Sequence, residues 1–307
     1  MKQLTSVEQL DFTRINKILS TARNIIKSPP IKYQKLCQGK ILSIIFFNES
    51  LRTSTILKAA MYRLGGHVIE VPKDASESEM DIYNSILPLS DISAIRSDDI
   101  DFDCINSLHS VPLINSLCNR DEHALSALWH LLTIDMLLGR VNNLNIGIYG
   151  QILHCRPYLS LQKLLSLLNN NFYIYPVIDT LGNPAHLNDY IRANGSTVEK
   201  TEYSQFAKKL DVLLISDGCP ISTEEKYFPV FEQYTHQFDV FNYEHLKLLP
   251  NHAILNYMMP RFLNDGRSTV SDDLLNSPRF YNSQMIKYGI FITMALIIDI
   301  LEVDHGV

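Results

Sequence analysis

Residues 41–66 read ILSIIFFNESLRTSTILKAAMYRLGG, and this stretch decides the fold class. Its first part, 41–47, is a short apolar run rich in isoleucine, which predicts a buried strand. After Ser50 the apolar residues recur at helical spacing on one face, at Ile56, Leu57, Ala60, Met61 and Leu64. Gly65 and Gly66 predict the end of that helix, because glycine readily adopts the left-handed conformation in which many helices terminate. A strand, a loop and a helix in this order are typical of a parallel α/β fold.

The same alternation continues along the chain. Further strands are predicted at 67–71, 92–95, 111–114, 144–149, 172–178, 211–216 and 253–257. Helical segments separate them, including a long apolar helix from Asp121 to Gly139 and a final helix over 286–303. A length of 307 residues fits about two domains. We therefore predict two parallel-sheet domains joined by long helices, with bounds 1–139 and 140–285, the first being completed by a C-terminal helix within 286–307.

Composition excludes several classes of protein. Hydrophobic residues make up 46% of the chain, and 27 basic against 33 acidic residues give a net charge of -6, which disfavours binding to nucleic acid. The five cysteines include no CxxC pair, which argues against a zinc site or a disulfide framework and favours the reducing cytoplasm. The N-terminus has no apolar signal core, and Lys287 and Asp299 interrupt the last apolar run, so no segment is predicted to span a membrane.

Polar and cationic residues follow the predicted strands of the first half. The loop NESLRTST at 48–55 offers hydroxyl groups, a guanidinium and backbone N–H donors where a helix begins, which suits a phosphate group. Arg96 follows another strand, and the loop after Asn115 leads to His123, predicted to lie in the first turn of the long helix. Ligands bind outside the carboxyl ends of parallel strands. These residues therefore predict one anion site.

Several segments resemble, in order and over nearly the whole chain, the aspartate and ornithine carbamoyltransferase family. The run FFNESLRTSTILKAAMYRLGGHV resembles the family's phosphate-binding segment, whose pattern is FF, then SxRTR, then a helix ending in RLGG. SDISAIR ends in an Arg where the family has one, and VPLINSLCNRDEH is similar to the segment that leads to the family's His. In the second half, IGIYGQILHCRP, LNYMMPR and QMIKYGIFITMALI resemble the acceptor-binding strand and loop, the HPLPR loop and the closing helix. The SLRT and HCRP runs resemble the acetylornithine and succinylornithine branch, and the closing helix the aspartate branch.

This resemblance implies a two-domain, homotrimeric transferase of amino acid metabolism that needs no cofactor. It would transfer the carbamoyl group of carbamoyl phosphate to the amine of an amino acid or a related acceptor. The resemblance assigns the phosphate to Ser50, Arg52, Thr53 and the N–H group of Leu51, and the carbonyl oxygen to Thr53, Arg96 and His123. Backbone carbonyls at Met258 and Met259 would hold the carbamoyl nitrogen. Acceptor binding falls to Arg156, Asp217 and Tyr257, with Arg156 on the carboxylate of the acceptor.

The chain departs from the family pattern at several of these positions. Ser54 replaces the second Arg of SxRTR, and Ser126 replaces a Gln that would hold the carbamoyl nitrogen. Glu77 lies near the position of a Lys that reaches a neighbouring subunit's site, a loss for which Lys73 could compensate. On the acceptor side, Tyr257 stands in the place of a His. Asp217 stands where the aspartate enzymes have an Arg, so it either holds a cationic acceptor or is an idle surface residue.

Two functions remain open from the sequence. The first is a carbamoyltransferase acting on an unusual amine, and the second is a catalytically lapsed family member with a ligand-sensing or subunit-interaction role. A dinucleotide-dependent oxidoreductase is disfavoured because GIYG at 147–150 lacks the full GxGxxG spacing. No metal site is predicted at His130 or His154, which lack carboxylate or cysteine partners at ligand spacing.

Overall fold

Helices and parallel strands alternate along the chain. The computed structural model describes residues 2–71, 77–119, 122–153, 155–176, 182–217, 240–259 and 270–304. In these ranges the helices are α1 Phe12–Lys27, α2 Leu51–Arg63, α3 Glu79–Ile86, α4 Phe102–Leu108, α5 Ala124–Leu138, α6 Arg156–Ser166, α7 Ala185–Ala193, α8 Tyr203–Phe206, α9 Tyr243–Lys247 and α10 Asn282–Leu301. The strands are β1 Ile41–Phe46, β2 His67–Glu70, β3 Ile92–Arg96, β4 Leu113–Asn115, β5 Asn145–Gln151, β6 Asn171–Tyr175, β7 Thr197–Lys200, β8 Val212–Asp217 and β9 Ile254–Tyr257.

Internal contacts divide the chain into two compact units. Unit 1 holds the described residues of 1–133 and 285–307, and unit 2 those of 134–284. The first division falls within α5, a few residues before the boundary predicted at residue 139. Each unit contains one parallel sheet. The predicted α/β class with two parallel sheets is thereby confirmed.

The sheet of unit 1 has the order β2-β1-β3-β4, with all pairs parallel. Near the N-terminus, Leu4 adds a further parallel bridge to Ile114 at the outer edge of β4. Strand β1 is buried along most of its length, and Leu42, Ile44 and Ile45 have no exposed surface. Burial on both faces is what a parallel strand covered by helices requires, which explains the continuous apolar run at 41–47.

The sheet of unit 2 has the order β7-β6-β5-β8-β9, again with all pairs parallel. One face packs on an aromatic core that includes Tyr149, Phe206 and Phe241. Tyr158 of α6 donates a hydrogen bond from its hydroxyl to Oδ1 of Asn256 in β9, at 2.9 Å. This bond satisfies a polar side chain inside the sheet and fixes α6 against the strand.

Helix α2 begins and ends where the sequence predicts. Ser50 is its N-cap residue, and the N–H groups of Gly65 and Gly66 donate to the carbonyls of Tyr62 and Met61 at 3.1 Å each. These two bonds form a Schellman motif, which needs a left-handed residue after the helix. Gly65 provides it with a φ of +81°. The predicted role of the Gly65-Gly66 pair is confirmed.

Helix α10 is long and apolar enough to cross a membrane by length and composition, with a mean hydropathy of 1.6. The same test is passed by the central helix of a folded core, and 61% of this helix's apolar window is buried inside the structure. Ile292, Leu296 and Ile297 have no exposed surface. We therefore describe α10 as a core helix of the fold.

Two sequence expectations need correction. Strand β7 was not predicted, because Thr197–Lys200 is an edge strand whose residues are mostly exposed and carry no apolar signal. Helix α5 begins at Ala124, so His123 lies just before the helix and not in its first turn. The carbonyl of His123 accepts the first bond, from the N–H of Ala127 at 3.2 Å. The predicted start of the long helix at Asp121 and the last two residues of the strand predicted at 172–178 lie outside the described residues.

Candidate active site

The strand order of unit 1 reverses between β1 and β3. Strand β2 lies on one side of β1, while β3 and β4 lie on the other. The connections that follow β1 and β3 therefore leave in opposite directions and open a crevice at the carboxyl edge, which is where ligands bind in open α/β sheets. The Ser50 loop follows β1, and Arg96 is the last residue of β3. The predicted anion-binding residues thus flank the switch point of this sheet.

The turn into α2 is a preformed set of donors. The hydroxyl of Ser50 accepts from the N–H of Thr53 at 3.4 Å and donates to Oγ1 of Thr53 at 2.9 Å. Because Thr53 receives that proton, its own hydroxyl can act as a donor. The N–H group of Leu51, an exposed residue, is one of the first-turn donors that an α-helix leaves unsatisfied. Together with the positive end of the helix dipole, these donors favour an anion.

Arg52 adds a full positive charge to this turn. Its side chain is half-buried, and burial lowers the pKa of the guanidinium from its ordinary value, although an arginine stays charged at neutral pH. A partly desolvated cation attracts an anion more strongly than a cation in bulk water. Ser54, by contrast, donates its hydroxyl to the carbonyl of Ser50 at 2.9 Å and so closes the helix turn. The departure from the SxRTR pattern therefore removes a cation without disturbing the helix.

Strand register places Arg96 beside the end of β1, four residues before Ser50. Arg96 pairs with Phe46 across β1 and β3, and its carbonyl accepts from the N–H of Phe47 at 3.0 Å. Neighbouring strands lie about 4.8 Å apart, so the backbone of Arg96 is one strand spacing from Phe46, at the point where β1 leads into the Ser50 loop. Its side chain is half-buried. Strand register thus brings Arg96 next to Phe46, although the two residues are far apart in sequence.

His123 follows the next strand, β4. It is almost fully buried, and its ring packs edge-to-face on Trp129, with 5.9 Å between the ring centroids. Ser126, one turn further along α5, is also buried. The side chain of serine is shorter than that of the glutamine it replaces. The Ser126 hydroxyl therefore cannot extend as far from α5 as the amide of that glutamine would. Glu77 is exposed, and Lys73 lies outside the described residues.

Unit 2 has a switch point of its own, between β5 and β8. Arg156 is the first residue of α6, which follows β5, and it is half-buried. Asp217 ends β8 opposite Gln151, and Tyr257 ends β9 opposite Ile215. The three residues predicted to bind the acceptor therefore lie on connections or strand ends at one edge of this sheet. The side chain of Asp217 is outside the described part of the structure.

The backbone after β9 is held in place by α10. Asn282 accepts from the N–H of Tyr257 at 3.3 Å and donates its amide to the carbonyl of Tyr257 at 2.8 Å. The N–H of Met258 donates to the carbonyl of Ile215 at 2.9 Å, which extends the pairing of β9 with β8 by one hydrogen bond. Met258 and Met259 are half-buried. A main chain fixed in this way can present backbone carbonyls whatever the side chains are, as the predicted role of Met258 and Met259 requires.

The described ranges contain no group of three or more His, Cys, Asp or Glu side chains that could hold a metal ion. Within these ranges, Cys37, Cys104, Cys118 and Cys155 form no disulfide. Burial lowers the pKa of His130 to about 3, so this imidazole is neutral at physiological pH. His154 lies outside the described residues.

Comparison with known proteins agrees with this geometry. Residues 2–136 match the family model described as "Aspartate/ornithine carbamoyltransferase, carbamoyl-P binding domain". The fold is similar to that of aspartate transcarbamoylase from Trypanosoma cruzi in complex with carbamoyl phosphate and aspartate, with a TM-score of 0.85 and 25% identity over 96% of this chain and 95% of that one. Residues 2–136 thus match the carbamoyl-P binding domain of the aspartate/ornithine carbamoyltransferase family, and the chain is similar to aspartate carbamoyltransferases over nearly its whole length. The resemblance inferred from the sequence is confirmed.

Curated relatives within this family cover the chain from end to end. The aspartate carbamoyltransferase catalytic subunit of Finegoldia magna is 29% identical over 312 residues, which is 98% of each chain. That of Clostridium botulinum is 29% identical over 320 residues and 99% of each chain. The features of the acetylornithine and succinylornithine branch, and the roles of the individual site residues, stay predictions for this family member.

Glu122 lies directly before His123, and its carboxylate is buried. Apart from this position next to His123, no feature of the sequence marks Glu122 as functional. An acidic residue next to a proposed ligand-binding histidine is unremarkable in sequence, because its partners are more than a hundred residues away.

Proposed function

We propose that this chain is a carbamoyltransferase, which moves the carbamoyl group of carbamoyl phosphate to the amine of an amino acid or a related acceptor. The observation that carries the proposal is the placement of the Ser50 turn and Arg96 on adjacent strand ends at the switch point of unit 1. That placement unites phosphate donors with a second cation in a family whose relatives are named carbamoyltransferases.

The chemistry of the transfer matches these groups. The acceptor amine attacks the carbonyl carbon, and negative charge gathers on the carbonyl oxygen, where Thr53, Arg96 and His123 would donate hydrogen bonds. Loss of one donor of this kind typically costs about 3 to 4 kcal/mol of transition-state stabilisation. The bond from carbon to the phosphate oxygen then breaks, and phosphate leaves against Arg52 and the N-terminus of α2. The products are an N-carbamoyl compound and hydrogen phosphate, which carries away the proton of the amine.

Unit 2 supplies the acceptor side of the proposal. Arg156 suits the carboxylate of an amino acid, because a planar guanidinium can bind it through two parallel hydrogen bonds. The relatives are named for aspartate, and the T. cruzi structure contains aspartate. An aspartate residue at 217 disfavours a second carboxylate on the acceptor and favours a cationic side chain. The acceptor panel therefore needs aspartate, ornithine, N-acetylornithine, N-succinylornithine and simple polyamines.

Binding and turnover test the proposal in sequence. Calorimetric titration with carbamoyl phosphate should give saturable binding, and a colorimetric ureido assay should detect product with at least one amine of the panel. Arg52→Ala should weaken carbamoyl phosphate binding by about 10- to 100-fold, since hydrogen bonds to a charged group contribute about 1.5 to 3 kcal/mol. Arg63→Ala is the matched control, because Arg63 is an exposed residue at the other end of the same helix.

A second candidate is supported by the departures at Ser54, Glu77 and Ser126. Ser54 is engaged in its own helix turn, and Ser126 is short and buried. A family member that lost these groups could bind an anion without transferring it, in ligand sensing or subunit interaction. Carbamoyl phosphate binding that is abolished by Arg52→Ala, without product from any amine, would favour this candidate over the enzyme. Absence of carbamoyl phosphate binding in the parent would contradict the proposed carbamoyltransferase.

The same proposal includes a homotrimer in a reducing cytoplasm. It is supported by the family resemblance and by cysteines that form no disulfide within the described residues. Light scattering of the purified protein should give three times the chain mass of 35.1 kDa. A monomer at micromolar concentration would contradict the assembly.

A further inference from the structure

Glu122 is a buried carboxylate tied to the N-terminal segment. It is 7% exposed, and its two oxygens have different partners. Oε1 accepts from the hydroxyl of Ser6, and Oε2 accepts from the backbone N–H of Val7, both at 2.9 Å. Hydrogen bonds to a charged acceptor are about twice as strong as those between neutral groups, and a buried carboxylate that loses one is strongly destabilised.

Residues 4–7, which we call the N-terminal clasp, are also bonded to strand β4. The N–H of Leu4 donates to the carbonyl of Leu113 at 2.9 Å, and the N–H of Asn115 donates to the carbonyl of Leu4 at 2.8 Å. The amide of Asn115 donates to the carbonyl of Thr5, also at 2.8 Å. The clasp therefore joins the end of β4 to Glu122, the residue before His123.

The described part of the loop between those two points, residues 116–119, is held by hydrogen bonds. Oδ1 of Asn115 accepts from the N–H groups of Leu117 and Cys118 at 3.0 and 2.8 Å, and Cys118 forms an antiparallel bridge with Glu122. Leu117 has a φ of 90°, in the left-handed region that a leucine seldom adopts. Such a conformation costs about 1 to 3 kcal/mol and persists only when surrounding contacts impose it. The shape of this loop therefore depends on its tertiary partners.

His123 is consequently held from both sides. On its C-terminal side, its carbonyl accepts the first hydrogen bond of α5 from Ala127. On its N-terminal side, the planar peptide bond links it to Glu122, whose backbone is bridged to Cys118 and whose side chain is fixed by the clasp. Only the dihedral angles of His123 itself remain to set the direction of the imidazole.

We propose that Glu122 is a positioning residue for His123, and that Ser6 and Val7 of the N-terminal clasp hold it in place. The proposal rests on the proposed function, in which His123 donates to the carbonyl oxygen of the substrate. It makes the alignment of a catalytic imidazole depend on a segment more than a hundred residues away. A displacement of about 1 Å at a catalytic group can lower the rate by about 100-fold.

The variants separate positioning from general stability. Ser6→Ala removes one of the two donors to Glu122, Ser6→Thr keeps the hydroxyl, and Glu122→Gln replaces the carboxylate by an amide of the same shape. Gln9→Ala is the matched control. Gln9 is exposed and exchanges two hydrogen bonds of 2.8 Å with Thr5. Gln9→Ala therefore removes contacts of the N-terminal segment but neither of the bonds from Ser6 and Val7 to Glu122.

Kinetics provide the first readout. Ser6→Ala and Glu122→Gln should lower kcat by about 10- to 100-fold, while the Kd for inorganic phosphate stays within about twofold, because phosphate binding uses the α2 turn and not the imidazole. Ser6→Thr and Gln9→Ala should retain the kcat of the parent within about twofold. A parallel loss of kcat and phosphate affinity, or an equal loss in Gln9→Ala, would overturn the proposal in favour of a purely structural role.

Trp129 fluorescence provides a second readout that needs no turnover. Trp129 is the only tryptophan of the chain, and the His123 ring lies against it. Its emission lifetime therefore reports the position of the imidazole, and His123→Gln shows how large the imidazole contribution is. We expect Ser6→Ala and Glu122→Gln to change the lifetime and Gln9→Ala to leave it unchanged. If the parent protein transfers no carbamoyl group, the proposed function fails, but the fluorescence measurement still tests the positioning of His123. Unchanged Trp129 lifetimes in both Ser6→Ala and Glu122→Gln would overturn the positioning role of Glu122.

Discussion

The indole nitrogen of Trp129 donates a hydrogen bond to Oγ1 of Thr293 at 3.0 Å, which joins α5 to α10 inside unit 1. The hydroxyl of Thr293 donates its own proton to the carbonyl of Gly289 at 2.7 Å, so its oxygen faces the indole as an acceptor. A Cβ on Gly289 would lie 3.2 Å from Cγ of Trp129, which shows how closely the two helices approach. The Trp129 ring, on which the His123 ring packs, is therefore held in place by α10, a helix near the C-terminal end of the sequence.

Thr293→Val should destabilise the protein by about 1 to 3 kcal/mol, because it leaves a buried indole N–H without an acceptor while keeping the side-chain shape. Urea denaturation followed by circular dichroism measures the change. Thr293→Ser keeps the hydroxyl and should lose less. A loss in Thr293→Ser as large as that in Thr293→Val would contradict this prediction, because it would show that the methyl group contributes as much as the hydrogen bond.

Asp299→Asn should cost about 1 to 3 kcal/mol of unfolding free energy. Asp299 is 3% exposed and accepts from Nε of Arg14 at 2.9 Å and from Nζ of Lys17 at 3.1 Å, so it links α1 to α10. The loss stays below that of a fully buried ion pair, because the Lys17 side chain is 52% exposed and keeps its contact with water. Glu244→Gln breaks the exposed pair with Lys247 and should cost less than about 0.5 kcal/mol. Similar losses from both variants would contradict the buried pair's importance.

Gly65→Ala should destabilise unit 1 by about 3 kcal/mol or more. Gly65 has a φ of +81°, which costs an alanine about 1 to 2 kcal/mol, and an added Cβ would overlap the backbone carbonyl of Gln34. Gly39→Ala is a matched control, since Gly39 has a φ of +79° but open space around it. Differential scanning calorimetry should show a much smaller loss for Gly39→Ala; a similar loss would mean that φ alone accounts for the effect.

The buried His130 should make stability depend on pH in acid. Its folded-state pKa is lowered by burial to about 3, against an ordinary value of 6.5. Below pH 6.5 the unfolded chain binds a proton that the folded chain does not, so stability falls as the pH falls from 6.5 towards 3. From pH 6.5 to 4.5 the loss should reach about 2 kcal/mol. In His130→Gln this part of the pH dependence should vanish, and a variant with the slope of the parent would show that other groups cause it.

Arg156→Lys should raise KM for the acceptor by about 10-fold or more and leave carbamoyl phosphate affinity unchanged, because a lysine cannot make the paired hydrogen bonds of a guanidinium. Steady-state kinetics with the best amine of the panel tests this. Arg192→Lys, at an exposed arginine paired with Asp189, is the control in the same unit. A change confined to carbamoyl phosphate binding would contradict an acceptor role for Arg156.

Some of the fold follows from local sequence. Strand β1, helix α2 and the glycine pair that ends it are specified by an apolar run, a helical repeat and a left-handed turn, all within residues 41–66. Strand β7 escaped prediction because an exposed edge strand needs no apolar residues. The start of α5 was misplaced because His123 and Glu122 are buried by contacts that no local pattern reveals.

The candidate site divides in the same way. The residue types of a phosphate-binding turn, Ser50, Leu51, Arg52 and Thr53, stand next to one another, so the chain alone determined them. Only the tertiary structure placed Arg96 opposite Phe46 and tied Glu122 to Ser6, because strand order and hydrogen bonds between distant residues depend on the folded sheet. The sequence by itself determined which groups could bind an anion. Which of these groups lie close together was decided by the tertiary structure, because the order of the parallel strands sets which strand ends are neighbours.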